Sequence, residues 1–328
     1  MLLRIEDLTV EFPTPAGVVR AVERVSLDLA AGRTLALVGE SGCGKSVLAA
    51  AILRLLPSPG RVVAGRIVFR DRDLLTLSQR ELRGLRGDRI GMVLQEPMTS
   101  LNPLLPVGQQ IDEVLLVHRR WPRRQVRQRT LELLERVRVP EPQRVYHACP
   151  HQLSGGMRQR AMIAMALACQ PELLIADEPT TALDVTVQVE ILALLRELRR
   201  AAGLALLLIT HDLGVVVGLA DEVAIMYAGR IVERLPTVGL ADARHPYTRG
   251  LLAATAGLNA AGGRPAASGS RRLPMIAGEV PHPLRRPPGC AFNPRCGWAD
   301  ADARCRTVTP PLRAVADGRW CACWQVTG

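Results

Sequence analysis

The sequence contains almost no lysine and few aromatic residues. Lys45 is the only lysine among 42 basic residues, and the arginines are scattered along the 328-residue chain. Aromatic residues make up 3% of the sequence, which is too few for a series of base-stacking platforms. The net charge of +11 would favour a polyanionic partner. Because no basic tail or arm gathers that charge, we interpret it as a compositional bias toward arginine and predict no nucleic-acid partner.

Long apolar runs are also missing. The longest, such as residues 161–169 and 203–209, fall short of the about 18 residues that crossing a bilayer requires. Charges at Arg4, Glu6 and Asp7 interrupt the only segment in which the apolar part of a signal peptide could lie. With 48% hydrophobic residues, the chain can nevertheless bury a sizeable core. The sequence therefore predicts a folded cytosolic protein of about two domains.

Three short apolar segments are typical of strands that are buried on both faces of a parallel sheet. They are residues 34–39, 173–176 and 204–209. The last two are separated by residues 187–200, whose apolar positions recur with helical spacing. Strand, helix and strand in this order indicate a parallel α/β core.

The composition changes along the chain. Residues 101–138 are polar and arginine-rich with helical spacing, and we interpret them as a helical insertion. Residues 253–272 are rich in Ala, Gly and Ser, which is typical of a linker. The following segment is rich in proline and holds five of the eight cysteines. The basic run at residues 119–129 fits a solvated helical face or a contact with anionic lipid headgroups.

The lone lysine lies in a segment that matches the phosphate-binding pattern G-x-x-x-x-G-K-[ST]. The segment follows a predicted buried strand and precedes an apolar helix, as this motif requires. Loop N–H groups and the helix N-terminus bind phosphate, the lysine reaches the β- and γ-phosphates, and the hydroxyl ligates Mg²⁺. The predicted nucleotide-binding residues are Gly39, Glu40, Ser41, Gly42, Cys43, Gly44, Lys45 and Ser46.

Two adjacent carboxylates follow another predicted buried strand. Asp177 and Glu178 come directly after residues 173–176. Ligands bind at the carboxyl ends of strands in open α/β sheets. We therefore expect Asp177 to hold Mg²⁺ and Glu178 to polarise the water that attacks the γ-phosphate.

Residues 153–160, LSGGMRQR, resemble the signature of ABC-type ATPases. Ser154 is predicted to cap a helix that runs to Cys169, and Gly155 and Gly156 leave its first N–H groups open to an anion. In the family, this site meets the γ-phosphate of an ATP that is held by a second ATPase subunit. The resemblance implies that two ATP molecules are enclosed between two such domains.

Other elements of the family occur in order. Gln95 resembles the Q-loop glutamine, residues 182–184 resemble the D-loop with Asp184, and His211 resembles the switch histidine. Phe12 resembles the aromatic residue that stacks on adenine, with a plain core position as the alternative. For Gln95 and His211 the alternatives are a polar surface residue and a buried structural histidine. The resemblance makes Ser46, Gln95 and Asp177 the Mg²⁺ ligands and Lys45, Gln95, Glu178 and His211 the catalytic residues.

The resemblance implies an α/β fold. We expect a P-loop NTPase (RecA-like) ABC ATPase core with an antiparallel β subdomain, a helical subdomain and a small C-terminal metal-binding extension. We place the ATPase domain at residues 1–240, with the helical subdomain at about 96–166. The extension then covers residues 241–328, with the linker at about 253–272.

Longer segments resemble the dipeptide and oligopeptide importer ATPases, of which this chain is similar to the D-type subunit. They are residues 95–103, 151–160, 176–186 and 245–248. The resemblance implies a peripheral protein on the cytoplasmic face of the plasma membrane. Its implied partners are an F-type ATPase subunit, two integral-membrane permease subunits and, indirectly, an external substrate-binding protein.

The transported solute stays open, because the nickel and glutathione importers are near neighbours of the peptide importers. A non-transport ABC ATPase that acts on nucleic acid is an alternative of another class. Such a protein would carry a large insertion or a second ATPase domain, and this sequence has neither. An electron-transfer protein would leave the ATPase motifs unexplained.

The tail cysteines suggest a metal. In a reducing cytosol, clustered cysteines favour metal ligation over disulfides, and thiolates select zinc or iron–sulfur clusters. Members of the family can carry a 4Fe-4S cluster on four cysteines, which by position match Cys290, Cys296, Cys305 and Cys323. The spacing between Cys296 and Cys305 is longer than we expect, and Cys321 is a further candidate. A cluster, zinc and unmetallated thiols all stay open.

The remaining cysteines lie outside this set. We expect Cys149 and Cys169 to be packing residues. Cys43 lies beside Lys45 and a predicted helix N-terminus. Those neighbours would lower the pKa of its thiol and make it sensitive to alkylation.

Overall fold

The computed structural model describes residues 1–96, 100–181, 183–261 and 275–326. The chain divides into two compact units. The first unit consists of Met1–Leu3, Asp28–Thr34 and Val68–Ile209, and the second consists of Arg4–Leu27, Leu35–Ile67 and Thr210–Gly328.

The bounds of the elements follow the chain order. The strands are β1 Leu3–Thr14, β2 Gly17–Leu29, β3 Thr34–Val38, β4 Arg61–Phe69, β5 Arg72–Asp73, β6 Ile90–Val93, β7 Leu173–Asp177, β8 Ala205–Thr210, β9 Glu222–Tyr227, β10 Arg230–Pro236, β11 Arg313–Ala316 and β12 Arg319–Cys321. The α-helices are α1 Lys45–Ile52, α2 Gln79–Leu85, α3 Val107–His118, α4 Arg123–Arg136, α5 Pro142–His147, α6 Gly155–Ala166, α7 Val185–Ala202, α8 Leu213–Leu219, α9 Pro246–Ala261 and α10 Arg304–Thr307.

The first unit is built on the parallel strands β6, β7 and β8. Ile90 of β6 pairs with Leu173 of β7, which in turn pairs with Ala205 of β8. Every residue of β7 and β8 is buried, as expected for strands covered on both faces. The predicted order of strand, helix and strand is confirmed, because α7 connects β7 to β8.

Helix α7 is capped at its start by Asp184 and ends at Gly203. The carboxylate of Asp184 accepts a hydrogen bond from the Val187 N–H at 3.0 Å, which caps the helix. Gly203 ends it with φ +61°, a left-handed backbone that glycine adopts without steric cost. Its buried side chains recur at helical spacing and are Ile191, Leu194, Leu195 and Leu198.

Among the described residues between β6 and β7, the helices α3 to α6 pack together as the helical part of the first unit. The Asp112 carboxylate of α3 accepts hydrogen bonds from the hydroxyls of Thr130 in α4 and Tyr146 in α5. One arginine of the basic run is neutralised by an ion pair, because Arg119 Nη1 lies 2.6 Å from Asp88 Oδ1. The predicted helical insertion is therefore present, and contact of the basic run with lipid stays a prediction.

In the second unit, the C-terminal residues extend a sheet of the core. β3 is parallel to β9, β9 is antiparallel to β10, and β10 is antiparallel to β12, which pairs with β11. Glu233 lies opposite Cys321, and the Ala322 N–H donates to the Val232 carbonyl at 2.8 Å. β2, β1 and β4 lie side by side in a separate sheet. Sequence analysis missed β11 and β12, which are only four and three residues long.

An aromatic cluster joins the tail to the core of the second unit. The ring of Phe292 lies 5.3 Å from that of Tyr227 and 5.4 Å from that of Tyr247, and the two tyrosine rings are 4.6 Å apart. All three side chains are buried. Their contact connects β9, α9 and the cysteine-rich tail, so the tail shares the hydrophobic core of this unit.

The predicted linker is partly wrong. Residues 253–261 continue α9, because an alanine-rich composition is as typical of a helix as of a linker. The rest of the predicted linker, residues 262–272, lies outside the described residues.

Candidate functional site

The phosphate-binding pattern lies between a strand and a helix, as predicted. β3 ends at Val38 and α1 begins at Lys45. Gly44 has a φ of +107°, and a Cβ there would lie 2.3 Å from the Ala21 carbonyl oxygen. A Cβ on Gly39 would lie 2.2 Å from the Met226 carbonyl oxygen. Both positions therefore require glycine.

The Lys45 side chain is enclosed by the loop. It is 4% exposed, and Nζ donates to the carbonyl oxygens of Gly39 at 2.7 Å and Glu40 at 3.0 Å. A buried ammonium group needs such acceptors, because burial without partners is costly. The loop thus holds its positive charge at a fixed place, while Ser46 in the next position is exposed.

The expected low pKa of the Cys43 thiol is wrong. Cys43 is 1% exposed, and its burial raises the pKa more than the nearby Lys45 charge lowers it. The sequence shows which residues are neighbours but not how deeply the sulfur is buried. Cys169 is a buried packing residue as predicted, whereas Cys149 is half-buried.

In the first unit, the structure brings Gln95 and Glu178 together. Asp177 is the buried last residue of β7, and Glu178 follows it with a left-handed φ of +45°. Glu178 Oε2 accepts hydrogen bonds from Gln95 Nε2 at 3.0 Å and Thr181 Oγ1 at 2.9 Å. Sequence analysis missed Thr181. A left-handed backbone at a residue other than glycine costs about 1–3 kcal/mol and is typical of functional sites.

The signature segment forms the start of α6. Ser154 Oγ accepts a hydrogen bond from the Met157 N–H at 3.3 Å, so the predicted cap is confirmed. The helix ends at Ala166 and not at Cys169. A Cβ on Gly156 would lie 2.8 Å from Cγ1 of Val187, in the first turn of α7. This close approach explains why a glycine occupies the position.

Besides the phosphate-binding loop, two predicted nucleotide contacts lie in the second unit. His211 follows β8 directly and is exposed, so the alternative of a buried structural histidine is wrong. Its neighbour Asp212 caps α8 by accepting from the Gly214 N–H at 2.7 Å. Phe12 is half-buried, and a Cβ on Gly60 would lie 2.4 Å from its ring. Its ring therefore lies over Gly60.

Comparison with known proteins decides the family. Residues 22–181 match the family described as ABC transporter, and residues 237–305 match the oligopeptide/dipeptide transporter C-terminal region. The chain is 46% identical to the dipeptide transport ATP-binding protein DppD of Escherichia coli, over 98% of its own length and 96% of that protein. The chain belongs to the ABC transporter ATP-binding proteins. The predicted family and ATPase activity are thus confirmed.

Further matches agree with this assignment of the ABC subunit. The chain is 46% identical to the oligopeptide transport ATP-binding protein OppD of Bacillus subtilis, over 98% of its own length and 88% of that protein. Its fold resembles the ATP-binding cassette MJ0796 bound to ADP and Pi, with a TM-score of 0.66 and 28% identity over 72% of this chain and 98% of that one. The predicted fold of the ATPase core is therefore confirmed. Among its described helices, none is long and apolar enough to cross a membrane.

Four tail cysteines of the ABC subunit line one cavity, together with His245, Phe292, Trp298 and Trp324; the four are Cys290, Cys296, Cys305 and Cys323. The pKa of the Cys290 thiol is raised to about 11, mainly by burial and also by the other three sulfurs. In the described part of the chain, however, no group of three His, Cys, Asp or Glu side chains is placed to hold a metal ion.

Cys321 does not line that cavity, although it packs against Cys323. It is fully buried against Val315, Cys323 and Val326. Burial and the nearby Glu233 carboxylate raise the pKa of its thiol. Its surroundings are those of a packing residue in β12.

Sequence analysis also missed a contact of the tail with the phosphate-binding loop. The carboxylate of Glu40 accepts hydrogen bonds from Nη1 and Nη2 of Arg295 at 2.7 and 3.0 Å. The Glu40 N–H donates to the Tyr247 hydroxyl at 2.9 Å. No local pattern in the sequence signals a contact between residues that are so far apart along the chain.

Proposed function

We propose that this ABC subunit hydrolyses ATP to power the import of dipeptides or oligopeptides. Support comes from relatives named as dipeptide and oligopeptide transport ATP-binding proteins and from the match of the C-terminal region. The structural observation that carries the catalytic part is the contact of Gln95 with Glu178, directly after Asp177. Import of nickel, glutathione or another small solute by the same ATPase is the second candidate.

The proposed assembly pairs this chain with a distinct F-type ATPase subunit beneath two integral-membrane permease subunits. An external substrate-binding protein would deliver the solute to the permease. The chain then lies on the cytoplasmic face of the plasma membrane as a peripheral subunit. No nucleic-acid partner is part of this proposal.

The proposed nucleotide site uses the residues of the family motifs. Lys45 binds the β- and γ-phosphates, and the loop N–H groups bind the β-phosphate. Phe12 stacks on adenine, and His211 contacts the γ-phosphate. The full set is Phe12, Gly39, Glu40, Ser41, Gly42, Cys43, Gly44, Lys45, Ser46, Gln95, Ser154, Gly155, Gly156, Asp177, Asp184 and His211.

We assign Mg²⁺ to Ser46, Gln95 and Asp177. Their hydroxyl, amide and carboxylate oxygens are the hard donors that Mg²⁺ prefers. Asp177 is buried at the end of β7, at the carboxyl edge of the sheet where ligands bind in α/β folds. When bound, Mg²⁺ neutralises charge that develops on the transferring phosphoryl group.

Glu178 is the proposed general base. Its carboxylate accepts from Gln95 and Thr181 at one oxygen, Oε2, so these contacts fix its orientation. The carboxylate orients the attacking water and takes up its proton. Gln95 and Thr181 thereby act on the reaction through the position of Glu178.

Ser154, Gly155 and Gly156 are proposed to bind the γ-phosphate held by the second ATPase subunit. Ser154 caps α6, which runs over Gly155–Ala166, and the first N–H groups of a helix attract anions. ATP would then be required to join the two subunits. Hydrolysis would separate them and reset the permease.

Glu178→Gln tests the catalytic assignment. The amide keeps the shape of the side chain but cannot take up the proton, so ATP hydrolysis by the assembled complex should fall at least about 100-fold. ATP should stay bound. Glu172→Gln is the matched control, because Glu172 pairs with Arg89 at the other end of β7. Normal turnover by Glu178→Gln would exclude Glu178 as the base.

Uptake by cells that carry the complete importer tests the solute. We expect accumulation of a radiolabelled dipeptide that is lost in Lys45→Ala. Nickel and labelled glutathione are measured in the same cells. Accumulation of either one without the dipeptide would keep the ATPase assignment and replace the solute.

We also propose that the tail cavity holds a 4Fe-4S cluster on Cys290, Cys296, Cys305 and Cys323. The support is the donor set, since four thiols line one cavity and thiolates are the usual ligands of such clusters. As described, these thiols do not form a three-ligand group, so binding requires them to draw together. When bound, a cluster would stabilise the fold of the tail.

Iron, sulfide and zinc per chain after anaerobic purification test this assignment. We expect about four irons and four sulfides in the wild type and a loss of both in Cys323→Ser. Cys321→Ser is the matched control, because Cys321 is buried but does not line the cavity. Zinc alone, or no metal in the wild type, would exclude the cluster.

A further inference from the structure

A partly buried ion pair connects the tail to the phosphate-binding loop within the second unit. Both terminal nitrogens of Arg295 donate to the Glu40 carboxylate, at 2.7 and 3.0 Å. The Arg295 side chain is 4% exposed, so solvent screens the pair much less than a surface pair. Two-point arginine–carboxylate pairs are among the strong hydrogen-bonded contacts in proteins.

The tail and Tyr227 of β9 hold the arginine independently of Glu40. Nε donates to the Ala277 carbonyl at 2.9 Å, and Nη2 donates to the Ile276 carbonyl at 3.3 Å. The guanidinium lies 5.9 Å from the ring centres of both Tyr227 and Phe292. Nη1 also lies 3.4 Å from the Tyr227 hydroxyl. With these five contacts besides the carboxylate fixing a planar group, Arg295 is the rigid partner and Glu40 is the residue that is held.

Glu40 passes this restraint to the loop lysine. Its N–H donates to the Tyr247 hydroxyl at 2.9 Å, and its carbonyl accepts from Lys45 Nζ at 3.0 Å. A shift of Glu40 therefore moves an acceptor of Lys45. The ion pair and the lysine hydrogen bond form a continuous connection from Arg295 through Glu40 to Lys45, and Tyr247 holds Glu40 from another side.

The charge of Glu40 adds a second effect. A carboxylate in a loop that binds a polyanion repels that ligand unless a cation neutralises it. Arg295 is such a cation, and the burial of its own side chain limits the screening of the pair by solvent.

We infer that Arg295 is a positioning residue of the ATP site, which holds and neutralises Glu40 so that the C-terminal extension sets the affinity for ATP. This inference rests on the proposed role of Lys45 and its loop in ATP binding. It predicts a change in ATP affinity and in KM, whereas kcat at saturating ATP stays near the wild-type value.

The test is equilibrium binding of a fluorescent ATP analogue to the full-length chain. Lys45→Ala is measured first. If this variant binds the analogue as the wild type does, the result contradicts the proposed ATP site and not the role of Arg295. Arg295→Met should then weaken binding roughly tenfold. Adding Glu40→Gln to Arg295→Met should restore most of it, because the unpaired carboxylate is gone. A tail that is merely loosened would not be rescued by a change in the loop.

Arg286→Met is the matched control. Arg286 is also a largely buried tail arginine, but it pairs with Glu23 of β2 at 2.6 Å and not with the loop. It should bind the analogue as the wild type does. Wild-type affinity in Arg295→Met, or equal losses in Arg295→Met and in the double variant, would overturn the inference.

Two variants of Glu40 test the same inference with an unaltered tail, in case Arg295→Met fails to fold. Glu40→Asp keeps the charge but shortens the reach to Arg295, so binding should weaken severalfold. Glu40→Gln removes the charge and keeps the length, so binding should weaken less. Equal affinities in the two variants would overturn the role of Arg295 in neutralising Glu40.

Discussion

The amide of Gln95 lies 3.0 Å from the carboxylate of Glu178, although 82 residues separate them along the chain. Gln95 follows β6 and Glu178 follows β7, and these two strands are paired in parallel. Their carboxyl ends therefore lie at the same edge of the sheet, where functional side chains gather in α/β folds. The sheet register thus places a loop glutamine beside the proposed base.

Gln95→Ala should slow ATP hydrolysis because Glu178 loses a hydrogen bond that orients its carboxylate. We expect kcat of the assembled complex to fall by about tenfold or more, since a misplaced general base loses much of its effect. Steady-state hydrolysis at saturating ATP measures it. Gln128→Ala is the control, because Gln128 makes a comparable bond to Glu132 at the surface of α4. A kcat equal to that of the control would exclude a positioning role for Gln95.

The two glycines of the signature segment should differ in their tolerance of alanine. A Cβ on Gly156 would lie 2.8 Å from Val187, whereas a Cβ on Gly155 would lie 3.5 Å from Leu183, an ordinary contact. Valine has a stiff side chain, so the contact at Gly156 is not easily relieved. Gly156→Ala should lower the free energy of unfolding by about 1–3 kcal/mol. Gly155→Ala should leave it nearly unchanged.

Denaturant unfolding of the full chain measures this difference. Adding Val187→Ala to Gly156→Ala removes the atom that the new methyl group meets. The loss in free energy of unfolding in the double variant should therefore be smaller than the sum of the losses in the two single variants. Additive losses would show that packing against Val187 is not the reason for the glycine.

Cys43 should react slowly with alkylating agents near neutral pH. Its thiol pKa is raised because burial disfavours the thiolate, and only the thiolate is nucleophilic. The reaction rate should increase with pH and stay below that of a cysteine in a short peptide until the chain unfolds. Labelling with iodoacetamide followed by peptide mass spectrometry measures the site. Labelling of Cys43 faster than that peptide at pH 7 would contradict the raised pKa.

The raised pKa of the Cys43 thiol also makes the stability of the protein depend on pH. Since the folded thiol holds its proton to a higher pH than the unfolded thiol, the unfolded state binds fewer protons above the ordinary cysteine pKa. Cys43 therefore contributes stability at neutral pH that decreases as the pH rises through the alkaline range. Cys43→Ser should reduce this alkaline loss.

Local patterns in the sequence were sufficient to find the candidate catalytic residues and the buried strands that carry them. The buried strands, the glycine-rich loop around Lys45 and the carboxylates at Asp177 and Glu178 each depend on residues that are neighbours along the chain. Thr181 was missed because its hydrogen bond to Glu178 depends on where the fold places that carboxylate. The burial of Cys43 depends on packing that no local pattern encodes.

The tail also makes contacts that local patterns in the sequence do not predict. Its cysteines and prolines stand out in the composition, and they suggested a separate small extension. The residues that join it to the core, Arg295 and Phe292, are ordinary types in an unremarkable pattern. Their partners lie tens to hundreds of residues away, on β9, on α9 and in the phosphate-binding loop. Only the fold makes these pairs neighbours.

Phe292→Ala tests whether the tail is part of the core. The Phe292 ring packs edge-on against Tyr227 at 5.3 Å and lies 5.4 Å from Tyr247, and all three rings are buried. Removing a buried phenylalanine ring costs about 3–5 kcal/mol. Because the cluster joins β9 and α9 to the tail, the loss should appear in the unfolding of the second unit as a whole. Trp320→Ala is the control, since Trp320 is a tail aromatic residue that is 43% exposed. A tail that folded independently would instead lose its own structure in Phe292→Ala, while the thermal unfolding of the core stayed at the wild-type temperature.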